Sequence, residues 1–108
     1  MEKRKDVIDF CKTFENVYED YPFRDDNWTL MRHRNNKKTF ATVFERNGKI
    51  WINVKCEPSF TYFWRNAFEG VIPAYHMNKE HWNSIILDGT VPDDAVMNMI
   101  ADSYKLTR

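Results

Sequence analysis

The chain has 108 residues, the length of one ordinary domain, and 43% of them are hydrophobic, which is enough to build a core. Sixteen lysines and arginines balance sixteen aspartates and glutamates, whereas domains that bind nucleic acid strongly are usually basic. No apolar run reaches the roughly 20 residues that span a bilayer. The basic N-terminus is followed by no apolar leader, and two cysteines make no disulfide framework. We therefore expect a single cytoplasmic domain over residues 1–108, without membrane contact.

Hydrophobic periodicity predicts one helix and three strands in the first half of the chain. Apolar residues recur at helical spacing up to Phe14, and an Asx-rich loop follows. The period then changes to two, and Asn47-Gly48 is the preferred dipeptide of a type I′ hairpin turn. The predicted elements are a helix over 2–15, a loop over 19–27, and strands over 28–34, 38–46 and 49–55. In the second strand Phe40, Thr42 and Phe44 are expected to share one face. In the third strand Ile50, Ile52 and Val54 are expected to point inward.

The second half predicts two helices separated by two strands. Pro58 suits the first turn of a helix that carries an aromatic stripe, and Gly70 fits a C-terminal cap. Strands are predicted over 71–76 and 82–87, and a last helix begins at Pro92. The stripe consists of Phe60, Phe63, Trp64, Ala67 and Phe68, and the last helix is expected to bury Val96, Ile100 and Ser103 or Tyr104.

These elements predict an α+β fold in the order α-β-β-β-α-β-β-α. Three amphipathic helices are expected to cover one face of a five-stranded, mainly antiparallel sheet.

Positive charge is concentrated in residues 32–55, where seven lysines and arginines accompany a single glutamate. The flanking segments are both acidic. A local patch of this kind sets a positive field that attracts phosphates, whereas the alternative is a solvated hairpin whose charges protect the sheet. The candidate nucleic-acid contacts are Arg32, Arg34, Asn36, Lys37, Lys38, Arg46 and Lys49.

A second candidate site lies in the predicted hairpin of residues 75–82. Aromatic and imidazole rings at a hairpin tip can stack on bases or on another planar ligand, and a lysine can meet a phosphate. The alternative is that the rings pack on the helices and the histidines satisfy local hydrogen bonds. The candidate residues are Tyr75, His76, Asn78, Lys79, His81 and Trp82.

No catalytic or metal-binding motif accompanies these patches. The chain lacks a nucleophile elbow, a P-loop and any recognisable metal-ligand spacing. Cys11 falls on the apolar stripe of the first helix, where a thiol is a poor nucleophile. We therefore expect a protein that is not an enzyme and uses neither a metal nor a cofactor.

Several segments resemble the MmcQ/YjbR family, formerly a domain of unknown function. The matching segments cover nearly the whole chain, and the most specific is Pro-Ala-Tyr-His-Met-Asn-Lys-Glu-His-Trp-Asn at residues 73–83. The resemblance implies a double-wing α+β fold, grouped with type III secretion chaperones, and a DNA-binding role. It implies no ligand, reaction or catalytic residue. The other matching segments are residues 18–23, 32–46, 53–56, 70–72, 87–89 and 91–94.

Three functions remain open from the sequence, in this order. The first is weak, salt-sensitive DNA binding by the basic hairpin, with the 75–82 hairpin as the second wing. The second is a chaperone-like protein-interaction module, such as a homodimer formed through the sheet face or the aromatic second helix. The third is binding of a small ligand, or catalysis, around His76, His81 and Trp82.

Overall fold

A six-stranded sheet with three helices against one face makes up the protein. The computed structural model describes all 108 residues. The elements are α1 (Arg4–Cys11), β1 (Val17–Asp20), β2 (Thr29–His33), β3 (Thr39–Arg46), β4 (Lys49–Lys55), α2 (Pro58–Ala67), β5 (Val71–Pro73), β6 (Trp82–Ile86) and α3 (Asp93–Thr107).

All neighbouring strands are antiparallel, in the order β1-β2-β3-β4-β6-β5. Helix α3 crosses β3 and β4, α1 lies on β3, and α2 lies against β5 and β6. The predicted α+β class with an antiparallel sheet is confirmed. No helix combines the length and the apolar character that crossing a membrane requires.

The strand that the sequence analysis missed is β1. Its last two residues lie in the loop predicted over 19–27, and its first two were assigned to no element. It pairs with β2 from Val17 opposite His33 to Asp20 opposite Leu30. All four of its residues are half-buried, because an edge strand is covered by only one neighbour. The sheet therefore has six strands, and the predicted number of five was wrong.

The β3–β4 hairpin forms as predicted. Asn47 and Gly48 have φ values of 55° and 75°, the left-handed conformation that a type I′ turn requires at both positions. The turn fixes the register, with Arg46 opposite Lys49 and Val43 opposite Ile52.

A β-bulge in β3 overturns the predicted face of Phe40. Met31 pairs with Ala41 but Arg32 pairs with Thr39, so the extra residue at position 40 reverses the alternation. Phe40 consequently packs among the helices, with its ring centroid 5.4 Å from that of Tyr104. Thr42 and Phe44 lie on the opposite face, since their neighbours Ala41 and Val43 belong to the core. The prediction that Phe40, Thr42 and Phe44 share a face was wrong.

The main core lies between the helices and the sheet. Ile52 and Val54 are buried there, Ile50 packs against them, and Val96 and Ile100 approach from α3, all as predicted. Ser103 is buried beside them. Its hydroxyl donates to the Phe40 carbonyl at 2.6 Å and accepts from the Lys55 amide at 2.8 Å, so it ties α3 to both central strands.

Helix α2 begins at Pro58 as predicted, but its aromatic stripe is largely uncovered. Phe60 and Phe63 are 54% and 57% exposed, and Thr61 is the only buried residue of the helix. Trp64 and Phe68 are half-buried against the core. The stripe therefore forms an exposed face, here called the aromatic face of α2, instead of filling the interior.

Gly70 does not cap α2. The helix ends at Ala67, Phe68 is already extended with φ −139°, and Gly70 has no positive φ. A Cβ at position 70 would lie 2.8 Å from the Val91 Cγ2. Glycine is required here for a close approach to the loop before α3, and the predicted cap was wrong.

Candidate functional site

The sheet face opposite the helices carries a cavity of about 710 Å³, here called the open-face cavity. Its floor is formed by side chains that alternate away from the core, among them Leu30 on β2, Thr42 on β3 and Asn53 on β4. The volume lies within the range of roughly 300–1,000 Å³ that is usual for ligand pockets. The fold thus provides a concave site where the sheet has no helix over it.

Two loops supply an aromatic wall to this cavity. Trp28 comes from the β1–β2 loop, while Tyr75 and His76 come from the β5–β6 loop. The rings of Trp28 and Tyr75 are nearly parallel, 8° apart with centroids separated by 6.3 Å. The centroid of the His76 ring lies 4.1 Å from the centroid of the Tyr75 ring. Planar, electron-rich surfaces of this kind stack on planar ligands.

Hydrogen bonds fix the aromatic wall to the floor. The Asn53 side-chain amide donates to the Tyr75 carbonyl at 2.9 Å, and the Tyr75 amide donates to the Ser84 hydroxyl at 2.9 Å. The Ser84 hydroxyl in turn donates to the Asn53 side-chain oxygen. The Tyr75 backbone is therefore held in place by side chains of the floor.

Four cations line the cavity: Arg32, Lys37, Lys38 and Lys55. Arg32 is neutralised, because its Nε lies 2.7 Å from the Asp20 carboxylate. The three lysines have no carboxylate within 4 Å. One carboxylate, that of Asp25, also lines the cavity. The balance of charge is positive and suits an anionic group.

Two residues with strained backbones face the cavity. Lys37 and His76 both have φ near 61°, a conformation that residues other than glycine seldom adopt. Asn36 holds the turn around Lys37, since its side chain donates to the Thr107 carbonyl and accepts from the Lys38 amide, both at 2.9 Å. Such strain concentrates at binding and catalytic sites. Asn36 thus positions the lysines, with its side chain engaged by the protein.

The remaining basic candidates lie outside the cavity. Lys49 is 3.1 Å from the Asp88 carboxylate, whose pKa is held at about 2 by hydrogen bonds from Thr90 and then by Lys49. The Arg46 guanidinium stacks 4.3 Å from the Tyr75 ring centroid and supports the aromatic wall. Arg34 lies over Tyr18 at the edge of the sheet. The structure brings together Arg32, Lys37 and Lys38, and separates the other three cations from them.

The second predicted site divides in the same way. Trp82 lines the cavity together with Tyr75 and His76. The Asn78 side chain closes the loop by accepting a hydrogen bond from the Glu80 amide at 2.9 Å. The Lys79 carbonyl accepts a hydrogen bond from the Arg65 side chain, and the His81 carbonyl accepts one from the Cys56 amide. Asn78, Lys79 and His81 therefore shape the loop without lining the cavity.

Thiols and metal ligands do not form a site. Burial raises the pKa of the Cys11 thiol to about 12 and, together with Asp102 and Glu57, raises that of Cys56. No three His, Cys, Asp or Glu side chains are grouped so that they could hold a metal ion.

Comparison with known proteins identifies the family. A sequence model described as YjbR matches residues 12–106. The chain belongs to the YjbR family. The resemblance found in the sequence is thereby confirmed.

Members of the YjbR family share the whole fold. The chain is 34% identical to the uncharacterized protein YyaQ of Bacillus subtilis, over 97% of this chain and 98% of YyaQ. A crystal structure of a Pseudomonas syringae protein is 28% identical, with a TM-score of 0.87 over 98% of this chain and 99% of that one. Deinococcus radiodurans protein DR2400, whose domain is described as DUF419, is 26% identical, with a TM-score of 0.88 over 98% and 78%. The fold is thus established, and function has to be inferred from the cavity.

Several cavity residues of this YjbR chain were missed from the sequence. Trp28 was predicted to start a strand, Phe23 to lie in a loop, and Lys55 was counted only within the positive charge of residues 32–55. Thr42 and Asn53 are polar residues in the middle of β3 and β4, each with an apolar residue on both sides. That polar break in a hydrophobic pattern was the available signal.

Proposed function

We propose that the protein binds single-stranded DNA by taking nucleotides into the open-face cavity. The observation that supports the proposal is the meeting of an aromatic wall with three unpaired lysines in one cavity. Bases stack on aromatic side chains, with about 1–3 kcal/mol per base, while lysines neutralise phosphates. A nucleotide carries both groups.

The depth of the site favours a single strand over a duplex. Trp28 and Tyr75 stand on loops around a recessed floor. In a duplex the faces of the bases are stacked on one another and cannot reach such rings, whereas an unpaired base can enter. Because the formal net charge is zero, attraction comes from the local lysines alone. We therefore expect weak binding that depends strongly on salt.

Replacing Lys37 and Lys38 together with alanine tests the proposal. Binding of an oligothymidylate of about twelve nucleotides, followed by tryptophan fluorescence, is expected to weaken about tenfold at low salt. The slope of log Kd against log salt is expected to fall by about 1.4, because each phosphate contact with a single strand contributes about 0.7.

The matched control is Lys3→Ala with Lys5→Ala, which removes the same charge at the start of α1, on the helix side of the sheet. Equal weakening in both double variants would mean that net charge, and not the cavity, governs binding. Absence of binding by the unmodified protein would overturn the proposal.

A free nucleotide shares the chemistry of a DNA strand, and thymidine monophosphate distinguishes the two. If the monophosphate binds as tightly as the oligothymidylate, the ligand is a small molecule instead of a strand. The proposal assigns a binding role. That the protein is not an enzyme, and that it is cytoplasmic, stay predictions.

We also propose, as a second function, that two copies associate through the aromatic face of α2. Phe60 and Phe63 project beside a groove of about 460 Å³ between α2 and α3, into which Leu106 also faces. Monomeric proteins seldom expose contiguous apolar patches of this kind. The same patch offers projecting rings and a neighbouring hollow, so two copies can interdigitate.

The charges at this groove support a two-fold interface. Glu57, Asp102 and Lys105 line it, and none has an ion-pair partner in its own chain. In a two-fold interface each residue meets the reciprocal residue of the other copy, so the lysine of one can face the acids of its partner. The oligomeric state in solution tests this proposal.

A further inference from the structure

Tyr18 and Arg34 place an aromatic ring and a cation next to each other beside the open-face cavity. The guanidinium carbon of Arg34 lies 5.7 Å from the centroid of the Tyr18 ring. Arg34 is exposed and has no carboxylate within 4 Å, and Tyr18 is half-buried on the edge strand β1. A phenol ring beside a planar guanidinium offers both a stacking surface and a positive charge, which suit a base and the phosphate next to it.

Strand register puts this surface in line with the cavity. Tyr18 is directly opposite Arg32, and Arg32 is directly opposite Thr39 on β3. Further along the sheet, Lys55 on β4 is directly opposite Trp82 on β6. Directly opposed residues of antiparallel strands point to the same face. Arg32, Thr39, Lys55 and Trp82 all line the cavity, and Tyr18 extends this row by one strand.

The row has aromatic rings at both ends and cations between them. Neighbouring strands are about 4.8 Å apart, so the four steps from β1 to β6 span about 19 Å. Asp20 neutralises Arg32. The positive charge that is not neutralised along the row therefore comes from Lys55 and from Lys37 and Lys38 in the β2–β3 turn. This spacing of rings and charges matches an extended strand of a few nucleotides.

We infer that Tyr18 and Arg34 are a second stacking subsite, so that single-stranded DNA crosses the sheet from Trp82 to Tyr18. The inference rests on the proposed function and adds a direction and a length to it. One nucleotide occupies the cavity, and the strand continues past Arg32 to a base on the Tyr18–Arg34 surface. A strand of about four nucleotides, the lower end of known single-strand site sizes, fills the row.

The length dependence of binding tests the inference. Oligothymidylates of about two, four and eight nucleotides are titrated into the protein while its tryptophan fluorescence is followed. Affinity is expected to rise about tenfold from two to four nucleotides, because the second base begins to stack. It is expected to rise little from four to eight.

Three substitutions assign that rise to the subsite. Tyr18→Thr, which keeps a residue suited to a strand, is expected to abolish the gain between two and four nucleotides and to leave binding of the shortest strand unchanged. Tyr18→Phe is expected to keep the gain. Arg34→Lys, at an exposed position, keeps the charge but loses the planar surface, so the salt dependence is retained while the gain is reduced.

The outcomes separate this inference from the proposed function. If the two-nucleotide strand binds as tightly as the longer ones, or if Tyr18→Thr and Arg34→Lys both retain the gain, the subsite is wrong while the cavity can still bind. If no strand binds, the proposed function fails and the subsite fails with it. Should Tyr18→Thr be unfolded by circular dichroism, the Arg34→Lys result decides.

Discussion

His33 shows how a single buried residue supports the cavity. Its Nε2 lies 2.7 Å from the Thr107 hydroxyl, which itself donates to the Ser103 carbonyl at 2.8 Å. The hydroxyl proton is therefore used, so neutral His33 donates from Nε2. Burial lowers the pKa of His33, and the nearby charges of Arg108 and Lys38 lower it further. The imidazole thus joins β2 to the end of α3, beneath the turn that carries Lys37.

The lowered pKa of His33 predicts a loss of stability in mild acid. Between the ordinary value near 6.5 and the lower folded value, the unfolded chain binds more protons than the folded one. The free energy of unfolding is therefore expected to fall as the pH drops below about 6.5. Urea unfolding at about pH 7.5 and pH 5.5 measures the difference.

His33→Gln, which retains a donor but does not titrate, is expected to lose this pH dependence. The matched control is His76→Asn at an exposed position, where asparagine tolerates the left-handed conformation. If His76→Asn removed the pH dependence and His33→Gln kept it, the assignment to His33 would be wrong.

Among the elements, those with a strict pattern were predictable and those shaped by their neighbours were not. Strand β4 was predicted with its observed bounds, because Ile50, Ile52 and Val54 alternate and Asn47-Gly48 fixes its start. Strand β1 carries no alternation, and its pairing with β2 depends on a partner distant in sequence. The same dependence on neighbours hides the bulge at Phe40.

The candidate site was predictable in its residue types and not in its assembly. Arg32, Lys37 and Lys38 were identified by charge, and Tyr75, His76 and Trp82 by their hairpin-tip position. No local pattern shows that the basic residues and the aromatic residues share one cavity. The distance between the two groups depends on the strand order of the sheet, in which β4 lies between them. The role of Trp28 depends on a contact with Tyr75 across the sheet.

Gly70→Ala tests the close approach between the end of α2 and the loop before α3. The new methyl group would lie 2.8 Å from the Val91 Cγ2 and 3.2 Å from the Thr90 hydroxyl. Overpacking of this kind typically costs about 1–3 kcal/mol in the free energy of unfolding, which chemical denaturation measures.

Combining Gly70→Ala with Val91→Ala supplies the control for that experiment. Because Val91→Ala removes the methyl group with which the new side chain at position 70 would clash, the loss of stability in the double variant is expected to be smaller than the sum of the losses in the two single variants. If Gly70→Ala alone left the free energy of unfolding unchanged, the loop before α3 could move away at no cost, and the requirement for glycine at this position would be wrong.

In the whole molecule, two distinct surfaces lie on opposite sides of the sheet. The open-face cavity occupies one side, and the aromatic face of α2 lies on the helix side with the acids Glu57 and Asp102. Two-fold association through α2 would leave both cavities accessible. Two linked sites would then act at a raised effective concentration on a long strand, so avidity would compensate for weak binding at each site.

Phe63→Lys is expected to keep the chain monomeric where the unmodified protein dimerises. A lysine in each copy would remove the ring that packs against the partner and bring a charge into the buried interface, whereas the side chain is exposed in the monomer and folding should be retained. Analytical ultracentrifugation over a range of concentrations gives the oligomeric state. Tyr62→Lys is the control, because Tyr62 is exposed on α2 but does not line the groove. A monomeric unmodified protein at every concentration would contradict the proposal.

The outer strands of the sheet bear on how the protein behaves when it is concentrated. β1 has four residues and β5 has three, and β5 ends at Pro73, which has no amide proton to offer. Unpaired strand edges are templates for sheet-to-sheet polymerisation, and short edges interrupted by proline resist it. The two short edge strands are therefore expected to disfavour edge-to-edge pairing, even though the chain presents a broad, uncovered sheet face.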